Sequence, residues 1–181
     1  GHDRFEVHMS LAGLRGFQHI PVVDYWLIDL YRLLEQQTPG LLKEIPSFSF
    51  IPTYDIDEGW SYKNKKWWRN AGGAFRDVLN GNFKSVVRRI SVLTGRQQDP
   101  YDTYDYIETL NVKYSLNPVY FFLAAERRGK YDKNISPDNH KWKQLVGKYS
   151  KKYKTGFHPS WRSCDEPELL KKEITTLERV S

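Results

Sequence analysis

Two aspartates one residue apart, Asp55 and Asp57, close the apolar run "FSFIPTYDID". In an extended strand, residues two apart point to the same face, so these carboxylates project together. Carboxylates held close repel, which raises the proton affinity of one of them. One can then act as a general base while the other holds a cation. A second apolar run, "KTGFHPSW", carries His158 near its end. Carboxylate oxygen and imidazole nitrogen together suit zinc and related divalent metals. Each motif also has a plainer reading. Asp-x-Asp-Glu-Gly makes a strand-ending turn whose side chains cap backbone amides, and a lone histidine serves as a packed or capping residue. Their joint occurrence at two strand ends is what gives the chemical reading its weight.

The elements that must position these residues follow from periodicity. "PVVDYWLIDLYRLLEQQTPG" reads as a helix, with Val22, Tyr25, Trp26, Leu30, Leu33 and Leu34 on one stripe and Pro39-Gly40 as its stop. Residues 47–55 read as a strand, with Pro52 near its end. Residues 58–73 read as an exposed aromatic loop, and 74–95 as a helix bent at Asn80-Gly81. Asp99-Pro100 reads as a cap opening a helix through Tyr104, Ile107 and Leu110. "NPVYFFLAA" is a buried strand, Ser136-Pro137 opens another helix, residues 154–161 form a strand, and residues 164–180 form a last helix. Strands alternating with helices imply parallel pairing and an α/β layer or barrel. In such folds chemistry sits at the carboxyl ends of the strands, which sets Asp55, Asp57 and His158 on one rim.

The composition is that of a globular chain, with 39% hydrophobic and 28% charged residues in 181. The net charge of +6 is spread over short tracts, "KNKKWWR", "RRGK" and "KYSKKYK", that read as solvated faces. No nucleic-acid module accompanies them, so a basic binder of nucleic acid or anionic surfaces ranks below the other readings. One cysteine, Cys164, excludes an intrachain disulfide. No apolar run reaches the roughly 20 residues of a membrane span, and "GHDRFEVHMS" lacks the apolar block of a signal peptide. A cytoplasmic location is the corresponding expectation.

The chain resembles the polysaccharide deacetylase family, of carbohydrate esterase family four type, through "TYDID" and "GFHPS". A bacterial deacetylase-like subgroup is closer still, through "DPYDTYDYI" from Asp99, "VYFFLAAERRGKYDKNI" from Val119 and "GFHPSW" from Gly156. The resemblance implies parallel β/α units of a distorted TIM-like barrel and a divalent metal, zinc above all. It implies removal of acetyl groups from a carbohydrate, or action on another non-peptide C–N bond. It makes Asp55 the catalytic base and Asp57 and His158 metal ligands. The family's second histidine falls at position 162, which is Arg162 here. A further ligand would then come from elsewhere, His140 being one source, or Arg162 would salt-bridge Asp57 and replace the cation. The resemblance divides the chain into a lead-in segment, 1–46, and a barrel portion, 47–181, covering the first strand–helix units of a larger barrel. A three-stranded remnant of this kind exposes an edge through which copies could associate.

Trp60, Trp161 and Arg162 are the expected substrate-binding residues, with Tyr62, Trp67 and Trp68 as further aromatics suited to stacking on sugar rings. Tyr131, Asp132 and Asn134 line the rim after the second strand or make a turn there. Asp99, Asp102 and Asp105 lack the spacing of an EF-hand and are read as caps. Cys164 has no base beside it in sequence and is not read as a nucleophile. The alternative to a hydrolase is a non-catalytic carbohydrate-binding or scaffold domain that kept the fold and lost a ligand at Arg162.

Overall fold

The computed structural model describes residues 5–40, 48–127 and 129–181. The chain divides into two compact units, Gly1–Ser49 and Phe50–Ser181. The first holds a short helix α1 (Leu11–Arg15) and a long one, α2 (Val22–Gln37). Ser10 caps α1 by accepting from Gly13 N–H at 2.9 Å, and Gly16 ends it in the left-handed region at φ 72°. Helix α2 starts and stops where the sequence signals place it, and none of its residues is buried.

The second unit contains β1 (Thr53–Ile56), α3 (Trp67–Leu79), α4 (Phe83–Leu93), α5 (Tyr104–Lys113), β2 (Val119–Leu123), α6 (His140–Ser150), β3 (Lys154–His158) and α7 (Pro167–Glu178). The strands form an open parallel sheet in the order β1-β2-β3, so the fold is α/β and no barrel closes among the described residues. Tyr54 lies opposite Tyr120 and Tyr120 opposite Thr155, Asp55 lies opposite Phe121 and Phe121 opposite Gly156, and Leu123 lies opposite His158.

Alternation along the strands gives the sheet two unlike faces. Tyr54, Ile56, Tyr120, Phe122 and Phe157 belong to the main core. That core is completed by Tyr104 and Ile107 of α5, Trp142, Leu145, Val146 and Tyr149 of α6, and Leu177 of α7. Thr53, Asp55, Phe121, Gly156 and His158 alternate onto the opposite face. There the Phe121 ring lies over Gly156: a Cβ at position 156 would sit 2.4 Å from Phe121 Cε1 and 2.5 Å from Cδ1. The glycine is the space the ring occupies.

Several element boundaries differ from the sequence expectation, each for a local reason. The first strand is shorter than residues 47–55. Phe48, Phe50 and Ile51 are exposed, Ser47 lies outside the described residues, and the Pro52 carbonyl accepts from Val119 N–H at 3.0 Å where the ladder begins. The expected loop over 58–73 ends at Lys66, because Gly72 and Gly73 lie within α3. Gly73 makes room for the Arg89 guanidinium, which donates to Asp77 at 2.7 Å and Asn70 at 3.2 Å and so locks α3 to α4. The bend expected at Asn80-Gly81 is a full break. Gly81 takes φ 68° and Asn82 caps α4 through Ser85 N–H. Thr103, not Asp99, stands at the N-terminus of α5. Asn139, not Ser136, caps α6, accepting from Lys141 and Trp142 N–H at 2.8 and 3.3 Å.

Gly156→Ala is expected to lower stability by about 1–3 kcal/mol, because the Phe121 ring must leave its place. Urea unfolding of the purified chain measures this, and an unchanged midpoint would show that the ring has somewhere else to go.

Candidate functional site

A cavity of about 890 Å³ opens at the carboxyl ends of the strands. Its lining includes Asp55, Asp57, Glu58, Asp132 and His158, with Tyr131 and Trp161 on its wall. Asp55 is in β1, and Asp57 lies one residue beyond the end of that strand. His158 is the last residue of β3. The sequence places these three on one rim, and the structure brings two of them into contact. His158 Nε2 lies 3.4 Å from Asp57 Oδ1.

The other ring nitrogen defines the chemistry of this contact. His158 Nδ1 lies 3.0 Å from the Pro159 carbonyl oxygen. A carbonyl only accepts, so Nδ1 carries the proton. In the neutral ring Nε2 is then a bare lone pair, and it faces a carboxylate oxygen that is also an acceptor. Two acceptors facing each other at this distance form a place that a cation against both atoms would favour. Two ligand atoms each about 2.1 Å from a tetrahedral ion lie about 3.4 Å apart, so the pair also has the spacing of adjacent metal ligands.

Among the described residues no group of three or more His, Cys, Asp or Glu is placed to hold a metal. Asp57 and His158 supply two side-chain donors, one fewer than the three protein ligands of a catalytic zinc centre. His140, the expected source of a further ligand, is the exposed first residue of α6 and is not part of the cavity wall. Arg162 does not replace the cation at Asp57. It lies in the turn after Trp161, with Nε 4.0 Å from Glu166 Oε1, while the ion-pair partner of Asp57 is His158.

The aromatic residues divide sharply. Trp60, expected to bind substrate, is a core residue: it is 8% exposed and meets the Tyr104 ring edge-on at 6.2 Å. Tyr62 lies beneath the Arg89 guanidinium at 4.7 Å. Trp67 and Trp68 are exposed on the first turn of α3 and pack against each other, outside the cavity wall. Trp161 does line the cavity, is 56% exposed, and stacks at 4.5 Å with Tyr131. Asp132 sets this tryptophan in place, because both its oxygens accept Trp161 N–H, at 3.1 and 3.2 Å. Asn134 takes the turn role, donating to the Ala125 and Ile135 carbonyls. Cys164 lines the cavity and its Sγ is 3.9 Å from the Ser160 carbonyl.

The loop that leaves β1 and carries Asp57 is held by a residue that sequence reading assigned to a helix cap. Asp99 is 2% exposed and its carboxylate accepts from four backbone N–H groups. These are Ser61 at 2.7 Å, Tyr62 at 2.8 Å, Lys63 at 2.9 Å and Tyr101 at 3.0 Å. Burial pushes its pKa up, but the four amides outweigh burial and hold it below the usual aspartate value. Nearby, Glu58 pairs with Lys65 at 2.9 Å, and burial lowers the lysine pKa against the pull of that carboxylate.

The chain matches no family model, no curated protein and no solved structure.

Asp99→Ala is expected to cost about 2–4 kcal/mol, since four backbone amides lose a charged acceptor. The folded pKa is depressed, so the carboxylate's contribution is present above the ordinary aspartate range near pH 4 and is lost as pH falls through the lowered value. The stability gap between wild type and variant should therefore narrow as pH falls below the ordinary aspartate range, about pH 4. A gap independent of pH would contradict the role given to Asp99.

Proposed function

We propose that the chain is a metal-dependent hydrolase of the polysaccharide deacetylase type, removing acetyl groups from a carbohydrate or cleaving another non-peptide C–N bond. The observation that carries this reading is the contact of His158 Nε2 with Asp57 Oδ1, with the imidazole proton fixed on Nδ1. Asp57 and His158 are the two protein ligands. A bound divalent cation, zinc in the first instance, would polarise the acetyl carbonyl and acidify a water. Asp55 lines the same cavity, is exposed to solvent and is the general base. Tyr131 and Trp161 offer an aromatic wall on which a sugar ring stacks. The open sheet, with helices packed on one face and Asp55 and His158 on the other, is consistent with one wall of a β/α barrel.

A second reading is favoured by one specific observation. Among the described residues only two ligands converge, and Arg162 stands where the resembled motif has its second histidine. A carbohydrate-binding domain that kept the fold without catalysis would look the same. The two readings separate by experiment.

Calorimetric titration with zinc should show one site in the wild type, lost in Asp57→Ala and in His158→Ala. Acetate release from an acetylated oligosaccharide should fall about 100-fold or more in Asp55→Asn while zinc binding survives. Oligosaccharide binding without acetate release would support the second reading, and binding of neither zinc nor oligosaccharide would overturn both.

A further inference from the structure

Helix α7 breaks its own pattern. Leu169, Glu173 and Leu177 recur at four-residue spacing and lie on one buried stripe, at 7%, 0% and 6% exposure. A carboxylate stands where a leucine would continue the stripe. Its Oε2 accepts from Ser160 N–H at 3.3 Å, and its Oε1 is buried with no hydrogen-bond partner among the described residues. Replacing such a group by hydrocarbon of similar volume is often neutral or stabilising, so helix packing does not account for it. Breaks of this kind concentrate where function constrains the chain.

The N–H that Glu173 holds belongs to the peptide group between Pro159 and Ser160. The carbonyl of that same group accepts His158 Nδ1–H at 3.0 Å. The bond is trans, so the N–H and C=O point in opposite directions from one rigid plane. Carboxylate, peptide and imidazole thus form a continuous line: Glu173 Oε2, Ser160 N–H, Pro159 C=O, His158 Nδ1–H. Its far end is His158 Nε2 facing Asp57. Proline at 159 fixes one of the two backbone torsions before the plane. On the far side of the plane, Ser160 Oγ accepts from Ser163 N–H at 3.2 Å and Ser163 Oγ donates to the Ser160 carbonyl at 2.8 Å, both serines being buried. Asp132 holds the next amide, Trp161 N–H.

We propose that Glu173 is a positioning residue for His158, acting through the single Pro159–Ser160 peptide group to keep the imidazole proton on Nδ1 and Nε2 turned toward Asp57. A hydrogen bond on one end of a peptide group polarises the other, and ligand histidines are commonly oriented in this way by a partner on the remaining nitrogen. Here the carboxylate stands one peptide removed from the ring. This inference rests on the reading of His158 as a functional residue, but its test needs neither metal nor turnover.

The test compares wild type, Glu173→Leu and Glu173→Gln by long-range proton–nitrogen correlation of the His158 ring, in its neutral form. Leucine completes the apolar stripe and removes the acceptor; glutamine keeps an acceptor oxygen. Wild type and Glu173→Gln should show the Nδ1–H tautomer. Glu173→Leu should move the ring population toward Nε2–H, and its zinc affinity should fall about tenfold where the wild type binds zinc. An Nε2–H tautomer in the wild type, a wild-type ring in Glu173→Leu, or a Glu173→Gln variant that behaves like leucine would each overturn the proposal. Failure of zinc to bind the wild type with the tautomer shift intact would fault the hydrolase reading alone.

Discussion

Strands β1 and β3 both run parallel to β2, one on each side, and the site depends on this pairing. Neighbouring strands lie about 4.8 Å apart, so the outer two are separated by nearly 10 Å. Asp57, one residue past the end of β1, and His158, the last residue of β3, meet at the carboxyl end of the sheet, where Leu123 is the register partner of His158. Parallel pairing puts the carboxyl ends of all three strands on one rim. An antiparallel β3 would carry His158 to the opposite end of the sheet, and the cavity would lose its imidazole.

Around that rim, buried carboxylates hold backbone amides at successive places. Asp99 fixes the loop after β1, Asp132 fixes Trp161, and Glu173 fixes Ser160. A carboxylate that accepts backbone N–H groups recovers much of what its desolvation costs, and it fixes a loop more rigidly than apolar packing does. The loops at this end of the sheet are therefore ordered by carboxylate side chains. The aromatic residues do complementary work on the other face. Tyr104, Tyr120 and Tyr149 lie in the core with ring centroids as close as 4.4 Å. Burial raises the pKa of all three, that of Tyr149 to about 12, so the hydroxyls stay neutral. Part of the high aromatic content is thus core, and Tyr131 with Trp161 forms an aromatic pair on the cavity wall.

The parallel α/β order was legible because each strand is a short apolar run and the helical stretches between have a clear period. The rim position of Asp55, Asp57 and His158 followed from that order alone. What the sequence hid were interactions between residues far apart in the chain. Gly73 looked like a loop residue because its purpose is to admit Arg89, sixteen positions away. Asp99 looked like a cap because Asp-Pro commonly is one, while three of its four partners lie about 37 residues earlier. Trp60 looked like a sugar platform because it follows the paired aspartates, yet Gly59 beside it accepts from the Tyr104 hydroxyl at 2.9 Å and that segment turns into the core. Glu173 carried a readable signal: a lone acid at the centre of a leucine stripe is out of pattern in any helix.

The central claim is that Asp57 Oδ1 and His158 Nε2 together hold a divalent cation. The most direct measurement is anomalous diffraction at the zinc edge from crystals of the chain grown or soaked with zinc. A peak about 2.1 Å from both atoms is the predicted result. Full-occupancy zinc bound elsewhere, or a strong His158–Asp57 contact that persists in saturating zinc with no peak beside it, would contradict the claim and leave the pair as an imidazolium–carboxylate bridge.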